Sequence, residues 1–172
     1  MNIVRFIVAL SLLLLFSGCS HKNYFKISAK KHNVNYKTLT AIASVESNHK
    51  SNVVNVNKSI FDIQRGPHYF DNWFTANLYM DMVLDPLGLN YDVGICQINK
   101  IHFDRFNLDN EDLLDDEINI DAAARIYRWN VTKCKGQIVC ALSMYNTGKG
   151  NSKTGKKYAN KVLRARKRLF GK

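Results

Sequence analysis

Residues 36–49 read YKTLTAIASVESNH, a stretch without glycine or proline that predicts an amphipathic helix. Its apolar residues Leu39, Ile42 and Ala43 recur at helical spacing, and Glu46 falls on the same stripe. A carboxyl group therefore stands where a core side chain is expected. Because removal from water raises the pKa of a carboxyl group, this glutamate can hold a proton near neutral pH and donate it. The structural alternatives are a pairing with a buried base or a turn toward solvent at the helix end.

The rest of the chain predicts a mainly α-helical protein. No long segment alternates between apolar and polar residues, as a half-buried strand would. Asn35 is the expected N-cap of the glutamate-bearing helix. Asn119 or Asp121 is the expected cap of the helix predicted over residues 118–131. Glycines at 148, 150 and 155 predict a loop before the last, basic helix. The further helices are predicted over residues 24–32, 118–131, 137–145 and 157–170.

Residues 59–90 differ in composition from their surroundings. They contain both prolines of the chain, Pro67 and Pro86, together with many aromatic residues. A short helix is predicted over residues 72–83, between these breakers. We interpret the segment as an inserted, aromatic-rich lobe and not as a second domain.

The N-terminal residues are typical of an export signal. Arg5 precedes the apolar residues 6–16, and the small residues Ser17 and Gly18 come before Cys19. This pattern predicts a bacterial lipoprotein signal over residues 1–18 and a lipid-bearing Cys19 that anchors the protein to the membrane. An ordinary signal peptide and an uncleaved anchor are the alternatives. We expect one domain over residues 19–172, at the periplasmic face of an outer membrane.

The formal net charge of +11 predicts an anionic partner. Peptidoglycan, with the free carboxylates of its peptides, is such a polymer in the expected compartment. Export disfavours nucleic acid as the partner, and the basic residues of 153–172 form no groove-reading motif.

Cysteine usage fits an oxidising compartment. With Cys19 assigned to the lipid, a local disulfide between Cys134 and Cys140 is the favoured pairing, which leaves Cys96 as a buried thiol. The scattered histidines and cysteines do not have the spacing of a zinc site, so we predict no metal and no cofactor.

Four blocks of sequence, in order along the chain, resemble one known family. They are AIASVES at residues 41–47, GICQIN at 94–99, MYNTG at 144–148, and Tyr158 followed by Val162. Together they are similar to the soluble-type lytic transglycosylases, whose catalytic domain is a goose-type-lysozyme-like helical fold. The chain departs from the family pattern at Cys96, where methionine is usual, and in the longer segment between the first two blocks. The resemblance implies that this inserted lobe lies beside the substrate cleft.

The resemblance implies a reaction with one catalytic carboxyl group. Protonated Glu46 would cleave the β-1,4 bond between MurNAc and GlcNAc without consuming water, and would leave an anhydro-MurNAc end. Small enzymes of this family open the wall locally for secretion, conjugation or pilus machines, so such an assembly is an expected partner.

The resemblance also assigns supporting roles. Tyr158 would orient the catalytic glutamate. Asn146 would offer its amide dipole to the reacting N-acetyl group or to the developing positive charge. Gln97, Tyr145 and Ser47 would contact the substrate, although packing is an alternative role for Gln97 and Tyr145.

Two other functions remain open at this point. A hydrolytic lysozyme would use Glu46 as acid and Asp92 as the base that activates water. A wall-binding assembly lipoprotein would keep the fold without catalysis, and the presence of Glu46 disfavours it.

Overall fold

The structure, a computed structural model, describes residues 21–171. The predicted signal over residues 1–18 and the lipidation site Cys19 lie outside this range. Within it, no helix is both long and apolar enough to cross a membrane. The helices are α1 (residues 21–31), α2 (Tyr36–Glu46), α3 (Trp73–Tyr79), α4 (Phe103–Phe106), α5 (Asp116–Lys133), α6 (Ile138–Thr147) and α7 (Lys153–Phe170).

Shorter helical turns stand next to three of these elements. A π-helical turn, Met80–Leu84, continues α3. Single 3-10 turns, Lys100–His102 and Asp112–Leu114, precede α4 and α5.

A small antiparallel sheet was missed by the sequence analysis. Its strands are β1 (Val53–Val56), β2 (Gly66–Tyr69), β3 (Tyr91–Val93) and β4 (Ile98–Asn99), in the order β2-β1-β3-β4. The strands are too short for a pattern of period two to emerge, and adjacent residues Val53 and Val54 are both buried. The sheet brings Asp92 opposite Asn55 on one side and opposite Asn99 on the other.

Helix α2 lies between two apolar clusters. Leu39 and Ala43 belong to the larger cluster, which α1, α3, α5 and the sheet also build. Ala41 and Ile42 belong to the second, which contains residues of α5, α6 and α7. Because both sides of α2 are packed, the position of Glu46 at its C-terminal end is fixed.

The observed helix boundaries correct several predictions. Helix α2 ends at Glu46 and not at residue 49, because Asn48 and His49 adopt left-handed φ angles of 54° and 63°. Its predicted cap is confirmed: the Asn35 side chain accepts a hydrogen bond from the backbone N–H of Thr38. The caps predicted for α5 are wrong, because Asp115 fills that position.

Helix α7 begins earlier than predicted. Ser152 caps it by accepting a hydrogen bond from the backbone N–H of Gly155, so Gly155 lies inside the helix and not in a loop. A Cβ at Gly155 would come within 2.0 Å of the Ser143 hydroxyl oxygen. The glycine therefore permits the close approach of α7 to α6.

The lobe over residues 59–90 is continuous with the core of the protein. Ala76, Met80 and Leu84 are fully buried members of the larger apolar cluster. On its outer surface, Phe74 and Met82 are exposed.

A disulfide joins Cys134, at the end of α5, to Cys140 in α6, and Cys96 is a buried free thiol. The bridge closes the short turn between the two helices.

Candidate active site

A cleft of about 520 Å³ opens at the C-terminal end of α2. Its lining comes from the sheet, from the segment around α4, from α5 and from the end of α6. The residues on it are Glu46, Asn57, Asn90, Asp92, Gln97, Ile98, Asn99, Ile101, His102, Arg105, Ile126, Trp129, Asn130, Met144, Tyr145, Asn146, Thr147 and Gly148.

Glu46 is the titratable group at the centre of this arrangement. Burial raises the pKa of Glu46 from 4.5 to about 8. The hydrogen bond from the Tyr158 hydroxyl, 2.5 Å from Oε1, lowers this pKa in part, and the negative charge of Asp92 raises it further. Near neutral pH the carboxyl group therefore carries a proton that it can donate.

The loop of residues 94–97 brings Gln97 to the cleft, and its backbone is locked by Asn119 of α5. The buried Asn119 accepts a hydrogen bond from the backbone N–H of Cys96 at 2.9 Å. Its amide nitrogen donates to the carbonyl oxygens of Val93 at 2.9 Å and Leu113 at 2.7 Å. Gly94 has a φ of +78°, and a Cβ there would lie 2.2 Å from the Asn119 amide nitrogen.

Three residues predicted to contact sugar also brace this loop. The Gln97 amide donates to the carbonyl oxygens of Gly94 at 2.9 Å and Val53 at 3.2 Å. The Tyr145 hydroxyl donates to the carbonyl oxygen of Cys96 at 2.9 Å. The Ser47 hydroxyl donates to the carbonyl oxygen of Ile95 at 2.8 Å.

The structure separates these three residues by exposure. Gln97 and Tyr145 line the cleft, so a sugar contact stays a prediction for both. Ser47 is only 5% exposed and lies outside the lining. In this structure its hydroxyl braces the loop, and the substrate contact predicted from the sequence stays a prediction.

Asn146 stands near the end of α6. Asn146 is exposed and lines the cleft. The following turn is fixed by the Thr147 hydroxyl, which donates to the carbonyl oxygen of Ser143, and by the Ser143 hydroxyl, which donates to that of Lys149. The Asn146 side chain is thus carried on a restrained turn.

Comparison with known protein families identifies the family to which this domain belongs. Residues 23–167 match the model of the transglycosylase SLT domain. The chain belongs to the transglycosylase SLT family. Members of the family are lytic transglycosylases that act on cell-wall peptidoglycan. The mainly α, lysozyme-like fold predicted from the sequence is thereby confirmed. Comparison with curated proteins gives no significant match to the chain.

In this SLT domain, Asp92 is a second carboxyl group on the cleft lining. Its Oδ1 accepts a hydrogen bond from the Asn99 amide at 2.6 Å, and its Oδ2 accepts one from the Asn55 amide at 3.0 Å. Both neighbours come from the strands that flank β3. The two bonds hold the carboxylate against the sheet.

The sequence analysis missed the role of Asn119 in the SLT domain. Asn119 was considered only as a helix cap, yet it stands at helical spacing from the apolar residues Ala122, Ala123 and Ile126. A polar side chain on an apolar stripe was the signal that identified Glu46, and it also applies to Asn119.

Within residues 21–171, no three His, Cys, Asp or Glu side chains lie close enough together to hold a metal ion. Burial raises the pKa of the Cys96 thiol well above its usual value, so this sulfur is a neutral, packed group beside the site.

Proposed function

We propose that the protein is an exported lytic transglycosylase that cleaves the MurNAc–GlcNAc β-1,4 bond of peptidoglycan without water. The observation that carries the proposal is the position of Glu46 on the cleft of an SLT domain, with the Tyr158 hydroxyl hydrogen-bonded to its carboxyl group. Burial there raises the pKa of Glu46 to about 8. One carboxyl group that is protonated at rest can serve both steps of the reaction.

In the first step, the Glu46 carboxyl group gives its proton to the glycosidic oxygen, and the bond to the MurNAc anomeric carbon breaks. The N-acetyl oxygen of the same sugar supports the electron-poor carbon, as in other substrate-assisted glycosidases. The exposed Asn146 amide lines the cleft and suits a contact with this N-acetyl group.

In the second step, the Glu46 carboxylate takes the proton of the MurNAc C6 hydroxyl, whose oxygen closes onto the anomeric carbon. An anhydro-MurNAc end forms, and Glu46 returns to its protonated state. Between the steps, the hydrogen bond from Tyr158 stabilises the carboxylate, because it favours the charged form.

Gln97 and Tyr145 are proposed to bind sugar as well as to brace the loop. Each lines the cleft while its donor group is bonded to backbone. The remaining faces of the amide and the phenol ring suit sugar hydroxyls and a sugar ring.

A hydrolytic muramidase is the second candidate, because Asp92 lines the same cleft as Glu46. In that reaction Asp92 would activate a water molecule, and the product would carry a reducing end. The two amides that bind the Asp92 carboxylate, from Asn55 and Asn99, favour a structural role for it.

We further propose that a lipid on Cys19 holds the enzyme at the outer membrane, where it opens the wall for an envelope-spanning secretion, conjugation or pilus assembly. The signal pattern of residues 1–19 supports the anchor. Fractionation of cells that express the full chain or Cys19→Ala tests it: the full chain should stay with membranes, and Cys19→Ala should become soluble. Equal fractionation of the full chain and Cys19→Ala would refute the lipid anchor. Co-purification of such an assembly with the full chain tests the partner.

Mass spectrometry of fragments released from purified peptidoglycan tests the reaction. The unmodified protein should release fragments that are one water lighter than reducing-end products, and Glu46→Gln should release none. Reducing ends that require both Glu46 and Asp92 would establish the muramidase. Firm wall binding without release by either protein would indicate an assembly factor.

A further inference from the structure

One wall of the cleft carries side chains that the proposed reaction does not use. We call it the Arg105 wall, and it consists of Ile101, His102, Arg105 and Trp129, all on the cleft lining. The first three come from the segment around α4, and Trp129 comes from α5.

Arg105 gives this wall a permanent positive charge. Among residues 21–171, it is the only lysine or arginine on the cleft lining. Burial and the charge of Arg105 lower the pKa of His102, so the neighbouring imidazole is neutral near pH 7 although Asp92 opposes this shift.

Aromatic rings position the Arg105 guanidinium group. Its central carbon lies 4.9 Å from the centre of the Trp129 ring and 5.5 Å from that of Phe106. Within residues 21–171, no carboxylate lies within ion-pair distance of Arg105, and its N–H groups form no hydrogen bond. The guanidinium group is thus held by stacking while its donors remain available.

The surroundings of Arg105 suit a ligand with both a sugar face and an acidic group. Trp129 is 41% exposed and Ile101 is 72% exposed, so apolar surface flanks the charge. A guanidinium group binds a carboxylate through two parallel hydrogen bonds, and nearby apolar surface limits screening by water.

We propose that Arg105 binds a carboxylate of the glycan strand. The enzyme would then prefer strands with such a carboxylate to uncharged amino-sugar polymers. This inference rests on the proposed function, since it assumes peptidoglycan in the cleft. Two sources supply the same chemistry. One is the lactyl carboxylate of MurNAc that bears no peptide, and the other is the set of carboxylates on the stem peptides.

Binding measurements on the Glu46→Gln full-length protein test the proposal without turnover. Three ligands are titrated by calorimetry at low ionic strength: chitohexaose, which is uncharged, a peptide-free GlcNAc-MurNAc oligomer, and a peptide-bearing oligomer. Adding Arg105→Gln should weaken binding of a carboxylate ligand about fivefold and leave chitohexaose unchanged. Arg105→Lys should recover part of the affinity, because charge remains while the two-point geometry is lost.

Arg125→Gln is the matched control. Arg125 also stacks on Phe106, at 4.1 Å from the ring centre, but it is absent from the cleft lining. The Arg125→Gln substitution should leave the affinity for all three ligands unchanged.

The pattern of loss identifies the source of the carboxylate. A loss confined to the peptide-free oligomer supports the lactyl group, and one confined to the peptide-bearing oligomer supports the stem. An equal loss for all three ligands, chitohexaose included, or no loss for any, overturns the proposal. Failure of the proposed reaction would appear separately, as an absence of anhydro ends from the unmodified enzyme.

Discussion

The Tyr158 hydroxyl, on α7, donates a hydrogen bond of 2.5 Å to Oε1 of Glu46, at the end of α2. Tyr158 is only 7% exposed, so this bond is made in a largely water-free environment. Burial, followed by the charge of Glu46, raises the pKa of the phenol well above its usual value, so Tyr158 stays a neutral donor. The bond stabilises the charged form of Glu46, whereas burial favours the protonated form. Two opposing effects thus act on Glu46, and each favours one of the two protonation states that the proposed reaction needs.

The first prediction concerns the pH dependence of kcat/KM. Since Glu46 must hold a proton at the start, activity should fall as the pH rises through about 8. Tyr158→Phe removes the bond that lowers the pKa of Glu46, so the alkaline limb should move to higher pH while kcat falls about tenfold. Peptidoglycan turnover measured across pH checks both shifts. An alkaline limb that stays in place in Tyr158→Phe would exclude Glu46 as the group that titrates there.

The second prediction concerns stability. Unfolded Glu46 titrates near 4.5 and folded Glu46 near 8, so between these values the folded protein holds the extra proton and its stability falls as the pH rises. Glutamine does not titrate. Glu46→Gln should therefore gain stability over the unmodified protein as the pH rises from 5 to 8, by about 1–3 kcal/mol at the upper end.

Denaturant unfolding at several pH values measures this difference. Glu117→Gln, at an exposed position of α5, is the control and should show no such trend. A Glu46→Gln difference that is constant with pH would mean that the carboxyl group has an ordinary pKa.

The sequence predicted the parts of the site that local patterns encode. Glu46 was found because it stands on the apolar stripe of α2, and Asn35 because caps follow simple residue preferences. The hydrogen bond from Ser47 to the Ile95 carbonyl could not be predicted in this way, because the partners are 48 residues apart and the acceptor is backbone. The strands around Asp92 were missed because each has at most four residues.

The third prediction separates two reasons for glycine at position 94. Gly94 and Gly136 have nearly equal φ angles, +78° and +81°, but a Cβ at Gly94 would meet Asn119 and the Leu113 carbonyl oxygen, whereas one at Gly136 would meet nothing within 4 Å. Gly136→Ala should cost about 1 kcal/mol of stability through backbone strain alone. Gly94→Ala should cost about 3 kcal/mol or more and should also reduce activity. Unfolding free energies compare the two variants, and equal costs would show that the contact at Gly94 relaxes freely.

The fourth prediction concerns Asn119. Asn119→Leu removes three buried hydrogen bonds, among them the one that the backbone N–H of Cys96 donates, so the free energy of unfolding should fall by about 2–4 kcal/mol. The loop of residues 94–97 should become mobile, which amide hydrogen exchange at Cys96 would detect. Asn160→Ala, at an exposed position of α7, is the control and should change neither quantity. Unaltered exchange at Cys96 in Asn119→Leu would show that Gln97 and Tyr145 hold the loop without Asn119.

The most direct test of water-free cleavage by Glu46 is a digestion of peptidoglycan in water labelled with oxygen-18, with the products analysed by mass spectrometry. We predict anhydro-MurNAc ends without label, from the unmodified protein and from Asp92→Asn, and no products from Glu46→Gln. Labelled reducing ends that disappear in Asp92→Asn would contradict the account and make Asp92 the base of a hydrolase.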